Sequence, residues 1–261
     1  MDLGLKDKVA LVLGAGGGLG GAIARALAAE GAKVVVADIS GDAIAASVGS
    51  IEAAGGTALG LEWDLADLAG IDARLARIEA EFGSVDILVN NTGGPPPTPA
   101  SGQDVAVWKS HFESMVLSVI AITDAVLPGM RAKKWGRIIT STSSGVVAPI
   151  ANLAISNALR LSLVGWSKTL AGEVGRDGIT ANIVLPGRIA TKRITFLDEQ
   201  KAKREGKAVE EVSAASTAAI PVGRYGDPQE YGDVVTFLAS TRSSYLTGSV
   251  IRIDGGLISS I

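Results

Sequence analysis

A glycine-rich segment near the start of the chain has the composition of a phosphate-binding loop. It runs from Gly14 to Gly20, between a short apolar stretch and an Ala- and Leu-rich stretch with helical periodicity. Glycines let a backbone turn sharply and approach a pyrophosphate, and the N-terminus of the next helix offers free N–H groups. Tight packing would also explain glycines, but this position between a predicted strand and a predicted helix favours a dinucleotide site. Two spacings fit: Gly14, Gly18 and Gly20, or Gly16, Gly18 and Gly21.

Asp38 ends the second predicted strand, where a carboxylate can accept hydrogen bonds from both adenosine ribose hydroxyls. The same charge would repel the 2′-phosphate of NADP. No Lys or Arg follows it closely, and Gly17 leaves the glycine loop without a basic side chain. The sequence therefore predicts NAD(H) rather than NADP(H). A strand-end cap is the alternative explanation for an aspartate at this place.

Short β-branched runs alternate with longer amphipathic stretches along the whole chain. Strands that are almost entirely apolar are typically buried on both faces of a parallel sheet. The pattern predicts an α/β fold, namely a Rossmann-type doubly wound parallel sheet of about seven strands in a single domain, residues 1–261. The predicted strands are residues 9–13, 33–37, 57–62, 86–89, 137–141, 179–184 and 249–253, and the predicted helices are residues 18–30, 41–54, 67–82, 104–133, 150–176 and 227–240.

Two insertions interrupt the alternation. Residues 92–103 contain four prolines and predict a stiff loop, and residues 188–226 contain a charge-dense helical piece, Leu197 to Ala214. Both follow predicted strands, and ligands of open α/β sheets bind beyond the carboxyl ends of the strands. We therefore expect a substrate rim at the first insertion and a lid at the second, with solvated surface loops as the alternative.

Composition excludes several other classes of protein. The 261 residues include no cysteine and one histidine, His111, so neither a disulfide nor a metal site is expected. The net charge of −3 is spread along the chain without a basic stripe, so nucleic acid is not expected as a partner. The longest uncharged run, residues 139–159, is rich in Ser and Thr and contains Pro149, which makes a poor membrane helix. We expect a cytoplasmic protein without a membrane partner.

Four further segments carry recognisable patterns: Trp63-Asp64-Leu65, Asn90-Asn91-Thr92-Gly93, Pro186-Gly187-Arg188-Ile189-Ala190-Thr191, and Tyr245-Leu246-Thr247-Gly248 through Asp254-Gly255-Gly256. With the glycine loop and Asp38 they resemble the short-chain dehydrogenase/reductase (SDR) family over essentially the whole chain, and its β-ketoacyl carrier-protein reductases in particular. The resemblance implies a homotetramer or homodimer. It also implies that the cofactor is held by Gly14, Gly18, Leu19, Gly20, Asp38, Asp64, Leu65, Asn91, Gly93, Arg160, Pro186, Gly187, Ile189 and Thr191.

The sequence departs from this family at the catalytic positions. The family uses an Asn, a Ser, a Tyr and a Lys, of which only the Ser is present, as Ser143. Met115 stands at the Asn position, Ser156 at the Tyr position and Arg160 at the Lys position. A serine is a far weaker acid than a phenol, and Arg160 can bind ribose hydroxyls but stays charged and cannot relay a proton. The predicted catalytic residues are therefore Ser143, Ser156 and Arg160.

No other residue clearly replaces the missing phenol. Tyr225, Tyr231 and Tyr245 fall in C-terminal segments that match structural positions of the family. His111 lies one helical turn before Met115, and its imidazole could exchange a proton with the substrate, although a packed or interfacial histidine is the commoner case. In the cofactor loop, Leu13 replaces a family Thr whose hydroxyl is usually tied to the Asn-Asn-Ala-Gly segment, which puts the stiffness of the cleft in question.

Two functions remain open at this point. The first is an oxidoreductase that moves hydride between NAD(H) and a small-molecule carbonyl or alcohol, with Ser143 anchoring the oxygen and a proton from water, the substrate or His111. The second is a nucleotide-binding protein with little or no turnover, such as a sensor or a partner subunit. A serine hydrolase is excluded because no G-x-S-x-G elbow follows a strand.

Overall fold

Seven parallel strands form one sheet that runs through the molecule in the order β3-β2-β1-β4-β5-β6-β7. The computed structural model describes residues 1–261. Crossovers place helices on both faces, which confirms the predicted doubly wound α/β fold. The strands are β1 (Val9–Leu13), β2 (Lys33–Asp38), β3 (Thr57–Glu62), β4 (Ile87–Asn91), β5 (Gly136–Ser141), β6 (Ile179–Pro186) and β7 (Val250–Ile253).

Nine α-helices cover the two faces of the sheet. One apolar core packs α1 and α9 against the sheet through side chains such as Ile23, Leu27 and Val235. A second core on the opposite face contains Ile78 and Ile122, from α3 and α5. The helices are α1 (Gly18–Ala29), α2 (Gly41–Ala53), α3 (Ile71–Phe82), α4 (Val105–Phe112), α5 (Ser118–Lys133), α6 (Ala154–Val174), α7 (Lys192–Glu205), α8 (Val209–Ala218) and α9 (Pro228–Ala239).

Three predicted helices differ from the observed ones. The stretch 104–133 is not one regular α-helix, because a π-helical turn, Glu113–Leu117, separates α4 from α5 and carries Met115. The helix predicted from residue 150 begins only at Ala154, because Asn152 has a positive φ of 59° and its carbonyl pairs with the proline-containing loop. The lid piece 197–214 is two helices, α7 and α8, because Gly206 turns the backbone with φ 65°.

One helical stretch, Val105–Lys133, is long and apolar enough to cross a membrane by length and composition. Half of its most apolar window is buried inside the fold. Val119 and Ile122 on this stretch are fully buried, and they pack in the cores that lie under α5. Packing against the sheet and against α6 therefore explains its apolar character.

Candidate active site

The glycine loop meets the end of β4 at the centre of the sheet. Gly14 has φ 59°, and a Cβ at this residue would lie 2.6 Å from the carbonyl oxygen of Asn91. A Cβ at Gly20 would collide with the carbonyl oxygen of Gly14, so helix α1 can start this close to the loop only with glycine there. A Cβ at Gly21 would make only ordinary contacts, at 3.4 Å and beyond. The geometry favours the spacing Gly14, Gly18, Gly20.

Asn91 holds this loop in place. Its side-chain amide donates to the carbonyl oxygens of Leu13 at 3.3 Å and Gly14 at 3.2 Å. These bonds join the first and fourth strands at the point where a family threonine is missing. The side chain of Asn91 thus stabilises the contact between the glycine loop and β4.

The N-terminus of α1 points its free N–H groups into the loop. The first backbone hydrogen bond within this region runs from Gly21 to Gly17, so the N–H groups of Gly18 and Leu19 have no backbone acceptor. No acidic residue lies in the first turn. Thr191, at the start of α7, faces the same place, since a Cβ on Gly18 would lie 3.7 Å from its Cγ2. The arrangement suits a pyrophosphate between the two helix ends.

Asp38 turns its carboxylate back toward the glycine loop. One oxygen accepts from the backbone N–H of Gly16 at 2.9 Å and the other from Ser40 at 3.2 Å. Asp38 lines a cleft of about 430 Å³, whose lining includes no lysine and no arginine. Six of the residues predicted to hold the cofactor line this cleft, namely Gly14, Asp38, Asp64, Leu65, Asn91 and Gly93.

Trp63, Asp64 and His111 also line the cleft. Trp63 is buried, and its indole Nε1 has no hydrogen-bond partner within the chain. Asp64 is exposed and accepts from the N–H of Ala66 at 2.9 Å. An indole N–H without a partner and an exposed carboxylate can both bind polar groups of a nucleoside, so the residues present fit the adenosine half of a dinucleotide.

The second half of the site follows β6. Pro186 ends this strand, and the N–H of Gly187 donates to the carbonyl oxygen of Ile253 on β7 at 2.8 Å. Ile189 is buried and forms an isolated bridge with Gly226, which closes the base of the lid. These contacts bring the segment 186–191 over the carboxyl ends of the strands. Pro186, Gly187, Ile189 and Thr191 do not line the 430 Å³ cleft.

Ser143 follows β5 and begins a 3₁₀ turn, Ser144–Val146. Its Oγ accepts from the N–H of Gly145 at 3.0 Å, which leaves its own hydroxyl hydrogen free to donate. Asn157 braces the adjoining loop, because its amide donates to the carbonyl of Ile150 at 2.9 Å. Ser156 lies beside Asn157 in the first turn of α6 and is buried.

Arg160 is buried and binds the ends of two strands together. Its Nη1 donates to the carbonyl of Ser141 at 3.2 Å, and its Nη2 donates to those of Thr92 at 3.2 Å and Gly93 at 2.9 Å. Burial lowers the pKa of the guanidinium to about 10. The side chain remains charged at neutral pH, with Nε and one Nη1 hydrogen not engaged in these bonds.

The comparisons with known proteins agree with this geometry. The sequence model of a family described as enoyl-(acyl carrier protein) reductase matches residues 14–258. The chain is 38% identical over 258 residues to 3-oxoacyl-[acyl-carrier-protein] reductase FabG of Escherichia coli strain K12, covering 98% of this chain and 99% of FabG. The chain belongs to the short-chain dehydrogenase/reductase family.

Solved structures show the same architecture. L-sorbose reductase from Gluconobacter frateurii, crystallised with NADPH and L-sorbose, superposes with a TM-score of 0.94 and 31% identity over 100% of both chains. YwfH, an NADPH-dependent reductase of bacilysin biosynthesis, superposes with a TM-score of 0.93 and 28% identity, covering 97% of this chain and 99% of YwfH. The protein is accordingly an SDR oxidoreductase that uses a nicotinamide cofactor.

None of the three tyrosines replaces the SDR phenol. Tyr225 donates to Asp198 at 2.6 Å in the lid, and Tyr245 is fully exposed. Tyr231 is buried in the core with its hydroxyl 2.8 Å from Ser141 Oγ, and burial raises its pKa far above neutrality. Tyr231 therefore supports the strand end beneath Arg160 and offers no proton to the cleft.

Sequence reasoning missed two residues of the lid. Arg193, in the first turn of α7, donates from Nη2 to the carbonyl of Pro95 at 2.7 Å and so joins the lid to the proline-containing loop. Asp198 is buried and accepts from Arg188 at 2.7 Å and from Tyr225. A basic residue at the N-terminus of a helix opposes the helix dipole, and this was the available signal for Arg193.

Proposed function

We propose that this SDR moves hydride between NAD(H) and a small-molecule carbonyl or alcohol, using an active site without the phenol and ammonium of its family. The observation that carries the proposal is the position of Arg160. It keeps the charge of the lysine that it replaces, and it binds the carbonyl groups of Ser141 and of Gly93, the second of which lines the cleft. The positive charge expected beside the cofactor is thus retained, although the phenol that serves the family as a proton donor is absent.

Ser143 has the role of holding the substrate oxygen. Ser143 Oγ accepts from the N–H of Gly145, and its own hydrogen can be donated to a carbonyl oxygen. A bound nicotinamide supplies or takes up the hydride. Ser156 adds a second hydroxyl from α6. The proton then comes from water, from the substrate or from His111, which lines the cleft.

NAD(H) is the proposed cofactor. Asp38 accepts from Gly16 and Ser40 and presents a negative charge to the cleft, and no Lys or Arg lines the cleft to balance a 2′-phosphate. Two related solved structures, YwfH and L-sorbose reductase, use or hold NADPH. The charge of Asp38 is what supports NAD in this chain.

We also propose a homotetramer or homodimer that works in the cytoplasm. Large apolar side chains lie exposed on two separate faces: Val105 and Leu161 on α4 and α6, and Tyr245 and Val250 beside the open edge of β7. Such surfaces are typical of interfaces between subunits. Light scattering at micromolar concentration tests the assembly, and a monomer mass contradicts it.

The activity is tested by mixing the protein with NADH or NADPH and a panel of ketones and aldehydes, and following absorbance at the reduced nicotinamide band. The expected result is oxidation of NADH in the presence of at least one carbonyl compound, and tighter binding of NADH than of NADPH. A protein that binds NADH with no turnover on a broad panel would be the non-catalytic alternative. The variant Ser143→Ala is the control, since it removes the proposed donor and leaves the glycine loop intact.

A further inference from the structure

Two arginine side chains meet beside Gly94, which lines the cleft. A methyl group on Gly94 would lie 3.2 Å from Nη2 of Arg193 and 3.7 Å from Nη2 of Arg160. Arg193 reaches this point from the lid and Arg160 from helix α6, so the two cations approach from different elements. Gly94 follows the Asn-Asn-Thr-Gly segment, directly beyond the end of β4.

Neither guanidinium has an acidic partner. The seven ion pairs of the structure involve other arginines and lysines. The hydrogen bonds of Arg160 and Arg193 go instead to backbone carbonyls, and Arg193 uses only Nη2 for its bond to Pro95. Most of the donors of Arg193 are therefore available to a ligand.

Two cations in a partly buried site are costly without a counter-ion. Burial lowers the pKa of Arg193, and it also lowers that of Arg160, where the charge of Arg193 acts in the same direction. The N–H groups of Lys192 and Arg193 have no backbone acceptor, and the first turn of α7 holds no acidic residue and no side-chain cap. The start of α7 faces Gly18, where the pyrophosphate of the cofactor is expected, and the two guanidinium groups favour a second negative charge beside Gly94.

We propose that the substrate of this SDR carries a carboxylate, and that Arg193 binds this group while Ser143 holds the reacting carbonyl. The inference rests on the proposed function and adds the substrate class, which is an oxo acid or its hydroxy acid. Arg193 is the residue that sets specificity. Arg193 lies on the lid and also contacts the proline-containing loop. Substrate binding should therefore affect the contact between the lid and this loop.

The first test compares each acid with its uncharged ester. Pyruvate, acetoacetate and levulinate place the carboxylate at different distances from the carbonyl, and each has a methyl ester as its neutral partner. With NADH, the wild-type protein should reduce at least one acid with a kcat/KM about 10- to 100-fold above that of its ester, as expected for a charge-assisted hydrogen bond. In Arg193→Gln this preference should disappear mainly through KM, and Arg193→Lys should retain part of it.

The second test measures binding without turnover. Protein saturated with NAD⁺ cannot reduce an oxo acid, so calorimetric titration with the preferred acid reports affinity alone. Arg193→Gln should weaken this binding by about 10- to 100-fold, with unchanged NAD⁺ affinity. Lys203→Gln is the matched control, since it removes an exposed positive charge from the last turn of the same helix. It should behave as wild type.

Several outcomes would overturn the inference. The inference is wrong if acids and esters are reduced or bound equally well, or if no acid binds. It is also wrong if Arg193→Gln weakens the binding of NAD⁺ rather than the binding of the acid. Failure of the proposed function has a different signature: the acid binds through Arg193 and is never reduced. Reduction of neutral ketones as efficiently as acids would keep the function and reject the carboxylate.

Discussion

Arg160 donates from Nη2 to the carbonyl oxygen of Gly93 at 2.9 Å, and this bond spans from helix α6 to the end of β4. The same guanidinium also holds the carbonyl of Ser141 at the end of β5. One side chain therefore joins the ends of two neighbouring strands, beside Gly93 in the lining of the cleft. The guanidinium donates to carbonyl groups at three separate positions. A lysine ammonium lacks the planar fork of arginine and cannot bind all three in this geometry.

The variant Arg160→Lys should therefore be less stable than wild type. At least one buried carbonyl loses its donor, which costs about 1–3 kcal/mol in the free energy of unfolding. Urea denaturation measures this change. Arg176→Lys, at an exposed position after α6, is the control and should leave the unfolding midpoint unchanged. Equal midpoints for the two variants would show that the bonds of Arg160 do not matter for stability.

Asp38 should determine the cofactor through its charge. Asp38→Asn keeps an oxygen that can accept from Gly16 but removes the negative charge, so NADP(H) should bind more tightly and the preference for NAD(H) should narrow. Asp38→Ala should in addition lower NAD(H) affinity by about 10-fold or more, because the ribose hydroxyls lose their acceptor. Fluorescence titration with both cofactors measures these affinities. The idea fails if the wild-type protein binds both equally.

The lid should exchange its amide hydrogens faster than the sheet does in the free protein. The buried residues of α7 and α8 are Asp198, Ala202, Val212 and Ser216, so few large apolar side chains hold these helices. Asp198→Asn should speed exchange over residues 192–218, because the ion pair with Arg188 is lost. Glu199→Gln, at an exposed neighbouring position, should not. Cofactor and substrate together should slow exchange, and full protection in the free protein contradicts the prediction.

The stability of the contact between the end of the lid and α9 should depend on pH. Arg224 binds both carboxylate oxygens of Glu230, at 2.7 and 2.8 Å, and the N–H of Asp227 adds a third bond. The bond to Arg224 is the main reason that the pKa of Glu230 falls to about 2. A lowered pKa means that the stabilisation is complete above the ordinary glutamate pKa and is lost as the pH falls toward 2.

Glu230→Gln should therefore lower the melting temperature at pH 7, and the difference from wild type should shrink steadily between pH 5 and pH 3. Thermal unfolding followed by circular dichroism measures it. Glu210→Gln, in the exposed first turn of α8, is the control. A difference that is constant with pH would show that the charge of Glu230 contributes nothing.

The strands and the cofactor loop could be predicted from sequence because their signals are local. Residues 9–13 are apolar throughout and form β1 with the predicted bounds, and the glycines of the loop lie where a strand turns into a helix. The start of α6 could not be predicted, since Ala154 and Asn152 are fixed by pairing with Thr98, more than 50 residues away in the chain. Arg193 was missed for the same reason, because its partner, the carbonyl of Pro95, comes from another loop.

The last prediction concerns the three changed catalytic positions. Met115, Ser156 and Arg160 are all buried, and Met115 packs in an apolar cluster with Ile155 and Leu159. If the site differs from the family only in its acid, the triple variant Met115→Asn, Ser156→Tyr, Arg160→Lys should raise carbonyl reduction well above wild type. Each single change should do little, because residues that act as a unit have effects that do not add.

The risks of this experiment can be measured beforehand. Met115→Asn places an amide in an apolar cluster, and the phenol at position 156 needs space next to the turn that begins at Ser143. Melting temperature and NAD⁺ affinity should therefore be determined first, with Met115→Leu as the control for packing. If the melting temperature and the NAD⁺ affinity are both retained while the triple variant reduces oxo acids and neutral ketones only at the wild-type rate, the loss of the acid is not the only way in which this pocket differs from the family. Arg160 and Ser156 would then belong to a site rebuilt around another ligand.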